Sequence, residues 1–213
     1  MISKRVKAEI TKFHKKNYRI KFCLGTLAIM SVCIAVIIIA TFTQVKINFN
    51  LGEDSIGSYL KFEYIPQIPV ILFTAALLGE CWGLIAVITY ILMGLTPFFP
   101  VFALGGGLSY VFQYNFGYIF AYIFAVLISS KFLKGRISVL NMVKAAVFGV
   151  LTIHIIGILY MSVIAVLRHD SFDFVTNWIY YQSISKLLYD LVFSFMAILI
   201  ARGLRRVLWV LMG

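Results

Sequence analysis

The sequence predicts an all-α integral membrane protein with six transmembrane helices and both termini in the cytoplasm. Hydrophobic residues make up 62% of the chain, charged residues make up 13%, and the mean hydropathy is +0.98. A water-exposed globule of this composition would be insoluble. The 213 residues hold about six spans of roughly 20 residues each. We therefore expect a six-helix transmembrane substrate-binding domain over residues 22–213, after a basic segment over residues 1–21.

Apolar segments separated by charge, glycine or proline define the expected helices. They lie at 22–45, 66–79, 82–97, 110–130, 140–167 and 175–201. The second and third segments are short, and only a few residues from Gly79 to Gly83 separate them. We expect these two segments to form a tight antiparallel pair that depends on packing against its neighbours.

Basic residues are concentrated on one side of the predicted bundle. Eight of the 19 precede the first span, and others flank the fourth connection or follow the last helix: Lys4, Arg5, Lys7, Lys12, Lys15, Lys16, Arg19, Lys21, Lys131, Lys134, Arg136, Lys144, Arg202, Arg205 and Arg206. With six spans, all of these residues face one side. The positive-inside rule identifies that side as the cytoplasm of a cell membrane.

The N-terminal segment combines lysines with apolar residues at helical spacing. Val6, Ile10 and Phe13 recur among the basic residues, which is typical of an amphipathic helix on anionic lipid. A disordered basic tail is the alternative. The basic pI of about 9.7 does not indicate nucleic-acid binding, because the aromatic residues lie in the apolar spans and not among the basic ones.

Motifs for catalysis, metal binding and nucleotide hydrolysis are missing from the sequence. It contains no GxSxG, HExxH or GxxxxGK[ST] pattern. Cys23, Cys33 and Cys81 form no CxxC pair and have no histidine at ligand spacing, so we interpret them as packing residues. We expect no enzyme, no metal, no cofactor and no ATP hydrolysis by this chain.

His154, Lys186 and Asp190 fall deep inside the predicted spans, where ionisable groups are costly and usually face a cavity or a partner. His154 lies in the fifth helix, and Lys186 and Asp190 lie in the sixth. Lys186 and Asp190 are four residues apart, so they share a helical face and can neutralise each other. They form either a purely structural ion pair or the polar part of a ligand site. His154 is either a packing residue or a site residue.

Several stretches occur in a characteristic order: IPQIPVILFTAALLG, a turn to Gly83, YILMGLTPFFPVFALGGG, FGYIFAYIFA and finally HIIGILYM. This order resembles the BioY family, the biotin-binding S components of energy-coupling factor (ECF) transporters. The family has a Y-L-x-x-G-x-x-G-x-P-V-F-A-like stretch followed by a G-P-T-G-G-Y-like stretch. The matching positions here are Tyr90, Gly94, Pro100, Val101, Phe102, Ala103, Gly117 and Tyr118.

The resemblance implies six helices around an outward-facing cavity for biotin or a biotin-like molecule. The helix breakers in residues 91–118 would then form a capping loop, which is tolerated at membrane depth where it lines a cavity. Its glycines would let the backbone approach a small ligand closely. The candidate substrate-binding residues are Asp190, Lys186, Tyr118, Asn115, Gly106, Phe102 and His154.

The resemblance also implies partners, namely a transmembrane coupling protein and two cytoplasmic ATPases. Family members contact the coupling protein through small residues on the first helix. Ala28, Ser31 and Ala35 are the nearest equivalent here, and small residues at such spacing let helices approach closely. Packing within the chain is the alternative use of these residues.

The sequence departs from the family pattern in the sixth helix. The family carries a G-D-x-x-K-like pattern there, and Asp190 matches its acid, but the lysine position falls on Phe193. Lys186 would have to replace that cation. A different, more apolar substrate is therefore an alternative. A membrane enzyme that uses His154 and Asp190 as acid and base is another, and it requires the two side chains to lie within hydrogen-bond reach. A scaffold without a small ligand is the third.

Overall fold

The computed structural model describes residues 24–49, 60–103, 105–134 and 138–212. The predicted amphipathic helix in residues 1–21 lies outside these ranges. The elements are, in chain order, α1 (Leu24–Phe42), β1 (Val45–Phe49), β2 (Leu60–Tyr64), α2 (Gln67–Leu95), a short 3₁₀ helix (Leu108–Phe112), α3 (Phe116–Leu133), α4 (Val139–Arg168), α5 (Phe172–Ile179) and α6 (Ser185–Met212). A π-helical segment, Tyr180–Ile184, joins α5 to α6.

Five helices in the described ranges are long and apolar enough to cross a membrane, with Phe172–Leu208 counted as one. The prediction of a helical membrane bundle is confirmed. The second of the five, α2, is divided at Gly79, whose φ of 81° and ψ of −169° are not helical. A Cβ added to Gly83 would lie 3.4 Å from the Cα of Ala75, whereas residues eight apart in a continuous helix are roughly 12 Å apart. The chain therefore reverses at Gly79, as the tight pair predicted from the sequence requires.

Side chains from two other elements hold this reversal. Arg205 of α6 donates a hydrogen bond from Nη1 to the carbonyl of Ala76 at 3.4 Å, and a cation at the carbonyl end of a helix is favourable. Glu80, next to the reversal, forms a salt bridge with Lys134 at the end of α3. The reversal is thereby tied to α3 and α6.

A β-hairpin, which was not predicted from the sequence, lies between α1 and α2. Strands β1 and β2 pair antiparallel, with Val45 opposite Tyr64 and Phe49 opposite Leu60. Both strands alternate apolar and polar residues, which is the pattern of a half-buried strand. The hairpin delivers Tyr64, only 2% exposed, to the bundle interior.

Glycines allow α3 and α4 to approach closely. A Cβ added to Gly117 would lie 2.3 Å from Tyr160, and one added to Gly157 would lie 2.4 Å from Tyr118. Ser129 also donates a hydrogen bond to the carbonyl of Ala145 at 2.9 Å. Large apolar side chains fill the interior, among them Ile71, Leu72, Val87, Val126, Val150, Ile153 and Ile198. The helices also expose large apolar side chains outward, as lipid-facing surfaces do.

Candidate functional site

Asp190 is the centre of a buried polar cluster contributed by three elements. Its side chain is 2% exposed and accepts a hydrogen bond from the Tyr64 hydroxyl, at 2.8 Å from Oδ1. His154 Nε2 lies 3.2 Å from Oδ2. A carboxylate can be kept in an apolar interior only when such partners replace its water. The structure therefore brings together two of the predicted site residues, Asp190 and His154.

Tyr64 belongs to this cluster but was not predicted, because its placement depends on the β-hairpin. Burial, and next the charge of Asp190, raise the pKa of the Tyr64 phenol, so it stays protonated and acts as a donor. Its ring packs against Phe193 with the centroids 5.3 Å apart. In this chain, the position where the family pattern has a lysine is therefore occupied by Phe193, and its aromatic ring packs against Tyr64.

The direct ion pair between Lys186 and Asp190, one of the two alternatives left by the sequence, is not formed. Among the described residues, no carboxylate oxygen lies within 4.0 Å of the Lys186 ammonium. Lys186 Nζ instead donates to Gln182 Oε1 at 2.8 Å, and Gln182 Nε2 donates to Asn115 Oδ1 at 3.3 Å. The side chain of Lys186 follows the preceding turn of its helix toward Gln182. Lys186 and Asn115 are both predicted site residues. They are linked through Gln182, which was not predicted as a site residue.

Tyr118 connects the α3–α4 contact with the π-helical segment. Its hydroxyl lies 2.7 Å from Ser183 Oγ, and both residues are buried. Its ring stands edge-on to His154, with the centroids 6.2 Å apart. Segments of π-helix often occur at functional sites, and this one carries both Ser183 and Gln182. Tyr118, a predicted site residue, therefore lies beside the Asp190 cluster.

The loop after α2 is uncharged and largely non-helical, in agreement with its sequence. The Gly107 amide donates to the carbonyl of Gly94 at 2.9 Å, and Phe102 and Gly105 exchange two backbone hydrogen bonds. Gly105 and Gly107 have φ angles of 123° and 90°, a region that favours glycine. These contacts fix the loop onto the end of α2.

Phe102 and Gly106 pack inside this loop. The Phe102 ring is 1% exposed, lies 5.6 Å from the Tyr90 ring and 4.7 Å from the Tyr110 ring, and covers Gly94. A Cβ on Gly106 would meet the Gly94 carbonyl at 2.8 Å. The contacts of these two predicted site residues hold the loop together, so a larger side chain at Gly106 would disturb the backbone first.

A set of contacts, here called the clasp, joins the end of the loop to the connection after α4. Tyr114 donates to Asp170 Oδ2 at 2.6 Å, and the Arg168 guanidinium lies 4.6 Å from the centroid of the Tyr114 ring. Arg168 also donates to the carbonyl of Phe112 at 2.8 Å, and Tyr160 donates to the carbonyl of Val111. The clasp was not predicted, because its partners are about 50 residues apart in sequence.

Comparison with known proteins identifies the family. The family model described as "BioY family" matches residues 11–209. The chain belongs to the BioY family. The family resemblance seen in the sequence is confirmed. The protein also resembles a solved structure, titled as the crystal structure at 2.1 Å of the S-component for biotin from an ECF-type ABC transporter. The TM-score is 0.64 and the identity 21%, over 85% of this chain and 90% of that one. No curated protein matches the sequence.

Two further features of this BioY protein bear on its function. Ala28, Ser31 and Ala35 are all exposed on one face of α1, and the Ser31 hydroxyl is turned back to the carbonyl of Leu27. A cavity of about 310 Å³ lies against one face of the α5 region, lined by Phe174, Asn177, Trp178, Tyr181 and Gln182. Through Gln182 this cavity adjoins the hydrogen bonds of Lys186 and Asn115.

The geometric condition for the enzyme alternative is also met in this BioY protein, because His154 and Asp190 are within hydrogen-bond reach. In the described part of the chain, no group of three or more His, Cys, Asp or Glu residues could hold a metal ion. A histidine and carboxylate pair can bind a ligand as well as catalyse, so the pair alone does not distinguish the two functions. Membership of the BioY family favours binding.

Proposed function

We propose that this protein is the substrate-capturing S component of an ECF-type vitamin transporter and binds biotin or a biotin-like molecule. The observation that carries the proposal is the buried Asp190 carboxylate, held by Tyr64 and His154 beside Tyr118. Family membership and the S-component fold support it. Substrate would enter from outside the cell, and partner subunits would supply ATP-driven uptake.

Asp190 suits the ureido ring of such a ligand. An ionised carboxylate has about four acceptor positions, and Tyr64 and His154 use two of them. The remaining positions can accept N–H groups, and hydrogen bonds to a charged acceptor are the strong ones. Lys186 and Asn115, joined through Gln182, would bind an acceptor or carboxylate at the other end of the ligand. A more apolar substrate is the second candidate, because Phe193 places an aromatic ring where the family pattern has a lysine.

The membrane arrangement belongs to the same proposal. The two halves of α2, which reverse at Gly79, would count as two of six membrane segments. An even number of segments puts both termini on one side, and the basic residues at the N-terminus and in the C-terminal part of α6 favour the cytoplasm. The basic segment over residues 1–21 would lie on anionic lipid.

The exposed small residues of α1 support a partner on that face. Ala28, Ser31 and Ala35 leave room for a second helix to approach closely. We propose that the transmembrane coupling protein packs here and connects this chain with two ATPase subunits. Such partners are needed because the sequence has no phosphate-binding loop of its own.

Liposomes that contain only this chain are expected to bind radiolabelled biotin without concentrating it. Co-reconstitution with a coupling protein and its ATPases should add uptake that requires ATP. The measurement is retained label before and after the vesicles are permeabilised, since bound ligand stays with the protein while accumulated ligand escapes. Accumulation by the single chain, without ATP or an ion gradient, would contradict the proposal. Chemical conversion of the biotin would favour the enzyme alternative.

A further inference from the structure

One nitrogen of the buried histidine in the Asp190 cluster lacks a partner. His154 is 4% exposed, and its Nε2 faces Asp190. Its other ring nitrogen, Nδ1, is buried and has no hydrogen-bond partner. Buried polar atoms are nearly always paired, because leaving one unpaired costs its full desolvation energy. An unpaired nitrogen beside a ligand site is therefore a candidate contact for the ligand.

The hydrogen bonds of the cluster determine what Nδ1 can offer. An ionised carboxylate only accepts hydrogen bonds, so His154 Nε2 must carry the proton that it donates to Asp190 Oδ2. In a neutral imidazole the other nitrogen then has no proton and is an acceptor. Asp190 thus fixes the tautomer of His154 and leaves Nδ1 as an acceptor.

Three donors near the cluster are already engaged elsewhere. The Tyr64 hydroxyl donates to Asp190, the Tyr118 hydroxyl bonds with Ser183, and the Lys186 ammonium donates to Gln182. Phe193, which occupies the lysine position of the family pattern, offers no donor. The cluster therefore presents acceptors to a ligand from two helices, Asp190 on α6 and His154 on α4.

We infer that His154 Nδ1 is a second ligand acceptor beside Asp190, and that the site selects molecules with two N–H donors on one ring, such as a cyclic urea. The inference rests on the proposed function and adds a residue that determines specificity. A ligand with a single N–H would leave either Asp190 or His154 without its partner. Such a ligand should bind more weakly even when its size and apolar surface are unchanged.

The test combines variants with modified ligands. The dissociation constants of the purified chain are measured for biotin and for two derivatives, each methylated at one ureido nitrogen. His154→Gln keeps an N–H donor near the position of Nε2 but lacks the Nδ1 acceptor. We expect His154→Gln to weaken biotin binding about tenfold, the usual effect of one lost hydrogen bond. In the natural chain, one of the two methylated derivatives should bind much more weakly than biotin. In His154→Gln, the difference in affinity between this derivative and biotin should be much smaller.

Thr152→Ala is the matched control, because Thr152 lies on α4 with His154 and its hydroxyl donates to the carbonyl of Phe148 in the same helix. Its affinities should equal those of the natural chain for all three ligands. The inference is overturned if, for both methylated derivatives, the loss of affinity relative to biotin is as large in His154→Gln as in the natural chain. If His154→Gln does not fold, equal binding of biotin and both derivatives by the natural chain overturns it. Failure of the natural chain to bind biotin at all would instead overturn the proposed function.

Discussion

Asp190→Asn is expected to lower the affinity for a ureido ligand by about 1.5 to 3 kcal/mol, the range for a hydrogen bond to a charged group. Asparagine has the shape of aspartate but replaces one acceptor oxygen by a donor amide. In the protein, both carboxylate oxygens receive hydrogen bonds, one from Tyr64 and one from His154. The amide can satisfy only one of these donors, so the variant should also unfold at a lower temperature. Ligand titration and thermal unfolding measure the two effects separately.

The double change Lys186→Met with Asp190→Leu shows whether the two residues depend on each other. A structural ion pair would make each single variant unstable, and removing both charges would restore stability. The Lys186 ammonium pairs with Gln182 and not with Asp190. We therefore expect the double variant to be less stable than either single variant. Restoration in the double variant, with normal binding, would remove both residues from the ligand site.

Gly157→Ala is expected to destabilise the protein by about 1 to 3 kcal/mol, the usual cost of overfilling a packed interior. The added Cβ would lie 2.4 Å from the ring of Tyr118, so α3 and α4 would have to separate or the ring would have to move. Movement of the ring would also break its hydrogen bond with Ser183. Ligand affinity should therefore fall together with the unfolding temperature.

Gly203→Ala is the control for this change, because it makes the same substitution in another helix. A Cβ there would meet no atom within 4 Å. Alanine favours helix over glycine by about 1 kcal/mol, so this variant should be as stable as the natural chain or slightly more stable. Equal effects of the two substitutions on the unfolding temperature would show that the α3–α4 contact is less close than described.

Local sequence patterns predicted the features that depend on local chemistry. The apolar composition predicted a membrane bundle, and Gly79 with Gly83 predicted the reversal inside α2. The rarity of charge within the spans identified Asp190 and His154. These two residues lie on different helices, yet each could be selected alone because an ionisable group in a membrane is costly.

Features that depend on distant partners could not be predicted in this way. Tyr64 reaches Asp190 across 126 positions of sequence, and Tyr114 reaches Asp170 across 56. Nothing local to these tyrosines distinguishes them from others in the chain. The partner of Lys186 could not be chosen from the sequence, since Asp190 and Gln182 are each four residues away. Helical spacing allows either contact, and the packing of the surrounding residues determines which one forms.

Titration of the purified chain with biotin in a calorimeter tests the central claim most directly. We expect saturable binding of one biotin per chain, retained in Thr152→Ala and weakened in Asp190→Asn. The same titration with other vitamins determines whether a different substrate binds better. Absence of saturable binding to biotin and to every other vitamin, by a chain that unfolds cooperatively, would contradict the account. Unchanged biotin binding by Asp190→Asn would show that the ligand lies elsewhere in the bundle.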